Sequence, residues 1–216
     1  MSKKKEKEER KLSKAELERK SLFEEKKEKL EQQGYVCKDM SIGVVYANIM
    51  AMVMAAPLAV LLLILFSVMN QKTPGIEVNL AYWDFLIIFI LFMVLIVVHE
   101  LIHGFTWGLF AENHYKDISF GVIWSMLTPY CCCKTTLKKG QYLLGGIMPT
   151  IVLGILPGVY ASFTGSYWVM LMSLFMVFGG GADLIIFMKL LFYRSECKEV
   201  LVMDHPYECG FVVFEK

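Results

Sequence analysis

Residues 82–111 read YWDFLIIFILFMVLIVVHELIHGFTWGLFA. Phe85 to Val98 are apolar without interruption. At ~1.5 Å per residue, a helix of this length spans the ~30 Å of a bilayer's hydrocarbon core. His99-Glu100-Leu101-Ile102-His103 then arrives inside the same stretch. Ionisable groups at such depth are costly, so they point to a functional site by default. The plainer alternative is that they hydrogen-bond neighbouring helices or sit near the interface.

HExxH has a chemical reason for its spacing. Helix positions four apart lie ~40° apart around the axis, so both imidazoles face one side and can grip one Zn²⁺ from adjacent turns. Glu100 can reach a metal-bound water without ligating the metal, which is the place of a catalytic base. Catalytic zinc usually takes three protein ligands and leaves one position open. His114 and His205 fall outside the apolar stretches. The intramembrane candidate for third ligand is Asp183, in FGGGADLIIF. His99 is 17 residues past Tyr82 and Asp183 is 16 past Tyr167, so both sit ~25 Å along inward-running helices. Hydrogen bonding of Asp183 to helix backbone, or pairing with Lys189, is the alternative. Gly179-Gly180-Gly181 would let another helix approach closely, or serve ordinary packing.

Working outward, three further spans are expected. Residues 43–69 hold no Asp, Glu, Lys or Arg, with Pro57 expected to kink the helix. Gly140 to Ala182 is uncharged and long enough for two spans, with Thr164-Gly165-Ser166 as the break. The expectation is an all-α integral membrane protein of about four helices, near 43–69, 82–111, 142–163 and 167–193. Residues 118–124 read as one arm of a short hairpin or re-entrant segment reaching Cys133, and 194–216 as a mixed tail with alternating character at FVVF (211–214). Residues 1–33 read as a charged, solvated, partly helical tail, with Ser13 and Glu16 fitting a capping box and Leu12, Leu17, Leu22, Phe23 and Leu30 giving only a ragged apolar stripe; a coiled-coil or lipid-surface role is the alternative. Residues 34–216 are then the membrane-embedded domain. The polar stretch 70–81, with Pro74-Gly75, reads as a turn.

Of 216 residues, 56% are hydrophobic and 20% charged, and the net charge is +1. The value hides an asymmetry: residues 1–40 hold 13 Lys+Arg and 10 Asp+Glu. Such a chain is too apolar for a soluble domain, and a strongly basic nucleic-acid binder is not expected. Lys116, Lys134, Lys138 and Lys139 lie in the central loop, against Lys72 alone on the other side. The positive-inside rule then places both termini in the cytoplasm, in the cell membrane. The six cysteines, three of them consecutive at 131–133, read as reduced thiols. Acylation or metal binding is the alternative for the triplet.

HELIHG at 99–104, with a later Asp in the last span, resembles the site-2 protease class of intramembrane zinc metalloproteases. A closer resemblance is to the putative zincin peptidase family. It is carried by LEQQGY (30–35), HELIHG, FGV (120–122), PYC (129–131), the Pro of GGIMPT (145–150), GGGADL (179–184) and MDHPYECGF (203–211). The resemblance implies Zn²⁺ held by His99, His103 and Asp183, with Glu100 as catalytic base. Asp183 stands in Gly-Ala-Asp-Leu rather than the Asn-Pro-Asp-Gly of many site-2 proteases, and no PDZ-like insert is present.

The expected function is hydrolysis of peptide bonds in membrane-associated substrates, with the lipid bilayer and a membrane protein or peptide as partners. The 118–133 segment would offer a strand edge to an unwound substrate. Thr150 and Tyr130 are the polar residues that could face an oxyanion. A non-catalytic, metal-stabilised membrane protein and a metal transporter are the alternatives.

Overall fold

The computed structural model describes residues 14–71, 81–123 and 128–216. Ser13 of the capping box, Lys72 and the Pro74-Gly75 turn lie outside the described residues.

The apolar stretches form helices where expected. α2 spans Val44–Met69, unbroken through Pro57, and α3 spans Tyr82–Gly108. α4 (Lys139–Pro149) runs through a π-helical segment (Thr150–Ile155) into α5 (Leu156–Thr164). Pro149 and Pro157 lack the N–H that would close an α-helical bond to Gly145 and Leu153, and the π segment lies between them. Gly165, at φ 70°, ends α5 in the left-handed conformation that favours glycine. α6 (Tyr167–Gly179) and α7 (Gly181–Leu191) follow, bent by 52° at Gly180. Among the described residues, three helices are long and apolar enough to cross a membrane, or four if the bent pair counts as one span.

The bend replaces the single helix expected over 167–193. The helix is closely packed at this point. A Cβ on Gly181 would lie 2.5 Å from the backbone oxygen of Ala51 in α2. The glycine run therefore does admit another helix.

The all-α expectation needs correction. Two sheets are present among the described residues. β2 (Ile118–Ile123) and β3 (Thr128–Cys133) form the anticipated antiparallel hairpin, with Phe120 opposite Cys131. The second sheet was not anticipated. It joins β1 (Val36–Asp39), β4 (Leu137–Lys138), β5 (Val200–Asp204) and β6 (Phe211–Glu215) in the order β1-β6-β5-β4. Neighbouring strands are antiparallel, with Val36 and Val200 both opposite Glu215.

β6 is buried on both faces, which explains why its alternation is hard to read. Phe211 and Val213 pack toward Leu137, Tyr142, Val202 and Trp107. Val212 and Phe214 pack the other way, onto Met203, Phe23 and Leu30. A strand covered on both sides reads as a continuous apolar run.

The second cover is α1 (Lys14–Gln32). The expectation of a solvated tail is corrected here: Phe23 and Leu30 are each only 6% exposed. Burying such a side chain contributes about 1.5–3 kcal/mol. Lys26 also reaches Glu112 beyond the end of α3, at 2.9 Å.

Glu215 closes the β1–β6 pairing. Its carboxylate accepts hydrogen bonds from Lys38 of β1, and from Ser195 and Tyr193 at 2.6 and 2.7 Å. These partners lower its pKa to about 2. Stability from a depressed carboxylate is complete above its unfolded value and is lost as pH falls toward the folded one. Protection factors of β1 and β6 amides, which correct for the intrinsic slowing of exchange in acid, should therefore fall in wild type as pH drops from about 4.5 to 2. Glu215→Gln should exchange faster already at neutral pH, with less dependence across that window.

Candidate metal centre

α3 brings His99 and His103 onto one side, both buried. Their Nε2 atoms are 3.2 Å apart. Asp183, in the first turn of α7 just past the bend, places Oδ2 2.9 Å from His99 Nε2 and 3.4 Å from His103 Nε2. Ligands ~2.0–2.2 Å from a tetrahedral zinc stand about 3.3–3.6 Å apart. The three separations lie close to the edges of that tetrahedron, the His99–Asp183 one being the shortest. Among the described residues, this is the one group of His, Cys, Asp and Glu close enough to hold a metal ion. The donor set, two imidazoles and a carboxylate, fits Zn²⁺. Lys189 is not the partner of Asp183; it donates to the Met40 carbonyl at 2.7 Å.

His103 is held firmly. Its Nδ1–H donates to the Gly145 carbonyl at 2.8 Å, which leaves the Nε2 lone pair facing the cluster. That carbonyl is free for a sequence reason: in an α-helix its partner would be the N–H of residue 149, which is proline. Gly145 also lacks the Cβ that would lie 2.1 Å from the Trp107 indole. The indole can therefore stack on His103, with ring centroids 5.0 Å apart and planes 15° apart.

Trp107 leads away from the site. Its Nε1–H donates to the Tyr142 carbonyl at 3.1 Å, and its ring stacks on Tyr142 at 5.4 Å. The Tyr142 hydroxyl donates to Asp204 Oδ1 at 2.5 Å, and the Cys133 N–H to Asp204 Oδ2 at 2.8 Å. Asp204 thus ties β5 to α4 and to the hairpin. Burial raises its pKa, against these two hydrogen bonds.

Glu100 is half-buried on the hairpin side of α3. The Cys131 N–H faces its carboxylate. Cys131 and Cys133 thus turn alternate N–H groups outward from β3, as a strand's period of two requires. Pro129, two residues before, has none to offer. The free strand edge of the hairpin is therefore that of β2.

The other sequence candidates are elsewhere. His114 is on an exposed 3₁₀ turn. His205 Nδ1 accepts the Glu208 N–H at 2.9 Å, a local role. Tyr130 lies beneath the Arg19 guanidinium, 4.4 Å from its ring centroid. The triple cysteine lies on β3, outside the metal cluster. Burial pushes Cys132 and Cys133 up to about 11 and raises Cys131 too, so these remain thiols at neutral pH.

Sequence reasoning missed Trp107 and Tyr142, and it quoted the motifs holding Gly145, Pro149 and Asp204 without reading their roles. One signal was available: a Pro four residues after a Gly, within an apolar helix, marks a carbonyl without its helical partner.

Residues 92–198 match the model of a family described as putative zincin peptidase. All three cluster residues and Glu100 fall within that range. No curated protein and no solved structure matches the chain.

Pro149→Ala supplies an N–H able to compete for the Gly145 carbonyl. Zinc affinity, measured by competition with a chromogenic chelator, should fall about 10–100-fold, the usual effect of losing an outer partner of a ligating histidine.

Proposed function

We propose that this chain, which belongs to the putative zincin peptidase family over residues 92–198, is a zinc metallopeptidase that cleaves membrane-associated substrates from within the bilayer. The observation that carries the reading is the near-tetrahedral set of His99, His103 and Asp183 between apolar helices, with Glu100 beside it.

Zinc held there would polarise a scissile carbonyl and acidify water. Glu100 takes a proton from the attacking water and delivers it to the leaving amine. The Cys131 N–H faces the Glu100 carboxylate, which sets β3 beside the proposed base. Asp183 remains a carboxylate because it is paired with imidazoles rather than with lipid. Three protein groups leave a fourth position open, which supports catalysis over a structural site closed by four ligands. The outer edge of β2 offers an unwound substrate a strand to pair with.

The four-stranded sheet supports a four-span topology. β1 precedes α2, β4 lies between α3 and α4, and β5 and β6 follow α7. Strands of one sheet lie on one side of a bilayer, so the chain crosses an even number of times between each pair. The bent α6–α7 pair then counts as one span. The Lys/Arg asymmetry makes that side cytoplasmic. Reporter fusions after residue 216 should accordingly report cytoplasm, and reporters inserted between 72 and 80 the opposite side.

Glu100→Gln should keep stoichiometric zinc and lose cleavage of a membrane-anchored reporter by about 10²–10⁴-fold. Asp183→Asn should lose the zinc itself, more completely than loss of an outer partner would cause. Zinc per protein after mild chelation, measured beside reporter cleavage, separates the two roles. Wild-type cleavage by Glu100→Gln would overturn the mechanism.

A further inference from the structure

Hydroxyls in these helices usually find a carbonyl. Thr106, Ser162 and Thr164 each donate to the carbonyl four residues back, at 2.8–3.0 Å. Thr150, fully buried at the start of the π segment, does not. Its Oγ1 has no hydrogen-bond partner among the described residues, and neither does His99 Nδ1, on the ligand helix. A buried polar group left unpaired costs about 1–3 kcal/mol.

The two orphans share one notch. A Cβ on Gly180 would lie 2.5 Å from Thr150 Oγ1 and 3.5 Å from His99 Cε1, the carbon bonded to Nδ1. Hydroxyl and imidazole edge are thus within about 6 Å of each other. The Met176 carbonyl, which accepts the Gly180 N–H at 3.0 Å, borders the notch, 3.4 Å from the same point. π segments are frequent at functional sites. A metal on His99 Nε2 obliges Nδ1 to carry the proton, and ligating histidines almost always donate that proton to an acceptor. His103 has its acceptor in Gly145; His99 needs one.

We infer that Thr150 is the positioning residue of His99: its hydroxyl accepts the His99 Nδ1–H, directly or through one bridging water, when Nε2 holds the metal. This rests on the zinc reading above. Pro149 and Thr150 then serve the two histidines from consecutive positions, one by freeing a carbonyl and the other by offering a hydroxyl.

The test compares Thr150→Val, which keeps the shape, with Thr150→Ser, which keeps the hydroxyl, in full-length protein in detergent micelles. Zinc affinity is measured by chelator competition, Co²⁺ spectra report ligand geometry, and the melting temperature is taken without metal. Thr150→Val should bind zinc about 10–100-fold more weakly and shift the Co²⁺ bands. Its metal-free melting temperature should equal or exceed wild type, because it removes an unpaired buried hydroxyl. Thr150→Ser should stay within about 3-fold of wild-type affinity, well inside that loss. Wild-type affinity in Thr150→Val would overturn the inference. So would Thr150→Ser as weak as Thr150→Val, or a metal-free Thr150→Val that melts lower than wild type. Failure of the wild-type protein to bind zinc would instead overturn the metal reading itself.

Discussion

Two imidazoles and a carboxylate packed between apolar helices set the terms for the rest of the molecule. Each polar atom there needs a partner, because no solvent replaces a missing one cheaply. The helices supply partners by departing from regularity. α4 gives up a backbone bond at Pro149, and the carbonyl so released holds His103. The last span breaks at Gly180, and Asp183 enters in the first turn after the break. A straight, regular bundle of the same composition would bury more methylene contact and have no carbonyl to spare.

The site also reaches beyond the helices. Asp204 of β5 accepts from Tyr142 and from the hairpin's Cys133, and Tyr142 and Trp107 stack in turn up to His103. The sheet is thereby joined to His103 by aromatic stacking and hydrogen bonds, without adding a residue to the cluster. On the outer edge of β3, the Cys133 N–H donates to Asp204 and the Cys131 N–H faces Glu100. A shift of the sheet relative to α3 would therefore move the strand that faces Glu100.

Much of this was legible in the residues, for identifiable reasons. Span length and the HExxH spacing follow from helix geometry, and the partner at Asp183 from the cost of a lone carboxylate at depth. The hairpin at 118–133 was visible as strand-like composition. The four-stranded sheet was not, because FVVF has both faces apolar and its partners, residues 36–39, lie more than 170 positions away. α1 was misread for a related reason. Phe23 and Leu30 are two apolar residues in a charged helix, and nothing local shows that a sheet surface awaits them. The 52° bend lies where α7 packs against α2, a contact that no local pattern encodes.

The pairing of β1 with β6 also fixes an order of events in folding. Helices can form one by one, each with its backbone bonds satisfied internally. The sheet cannot: its two outermost partners in sequence flank every apolar helix, and closing so long a loop must follow their placement. During that interval α1 has no apolar surface to rest on. It is then the hydrated, charge-rich segment its composition describes, and it becomes part of the folded body only when the sheet closes.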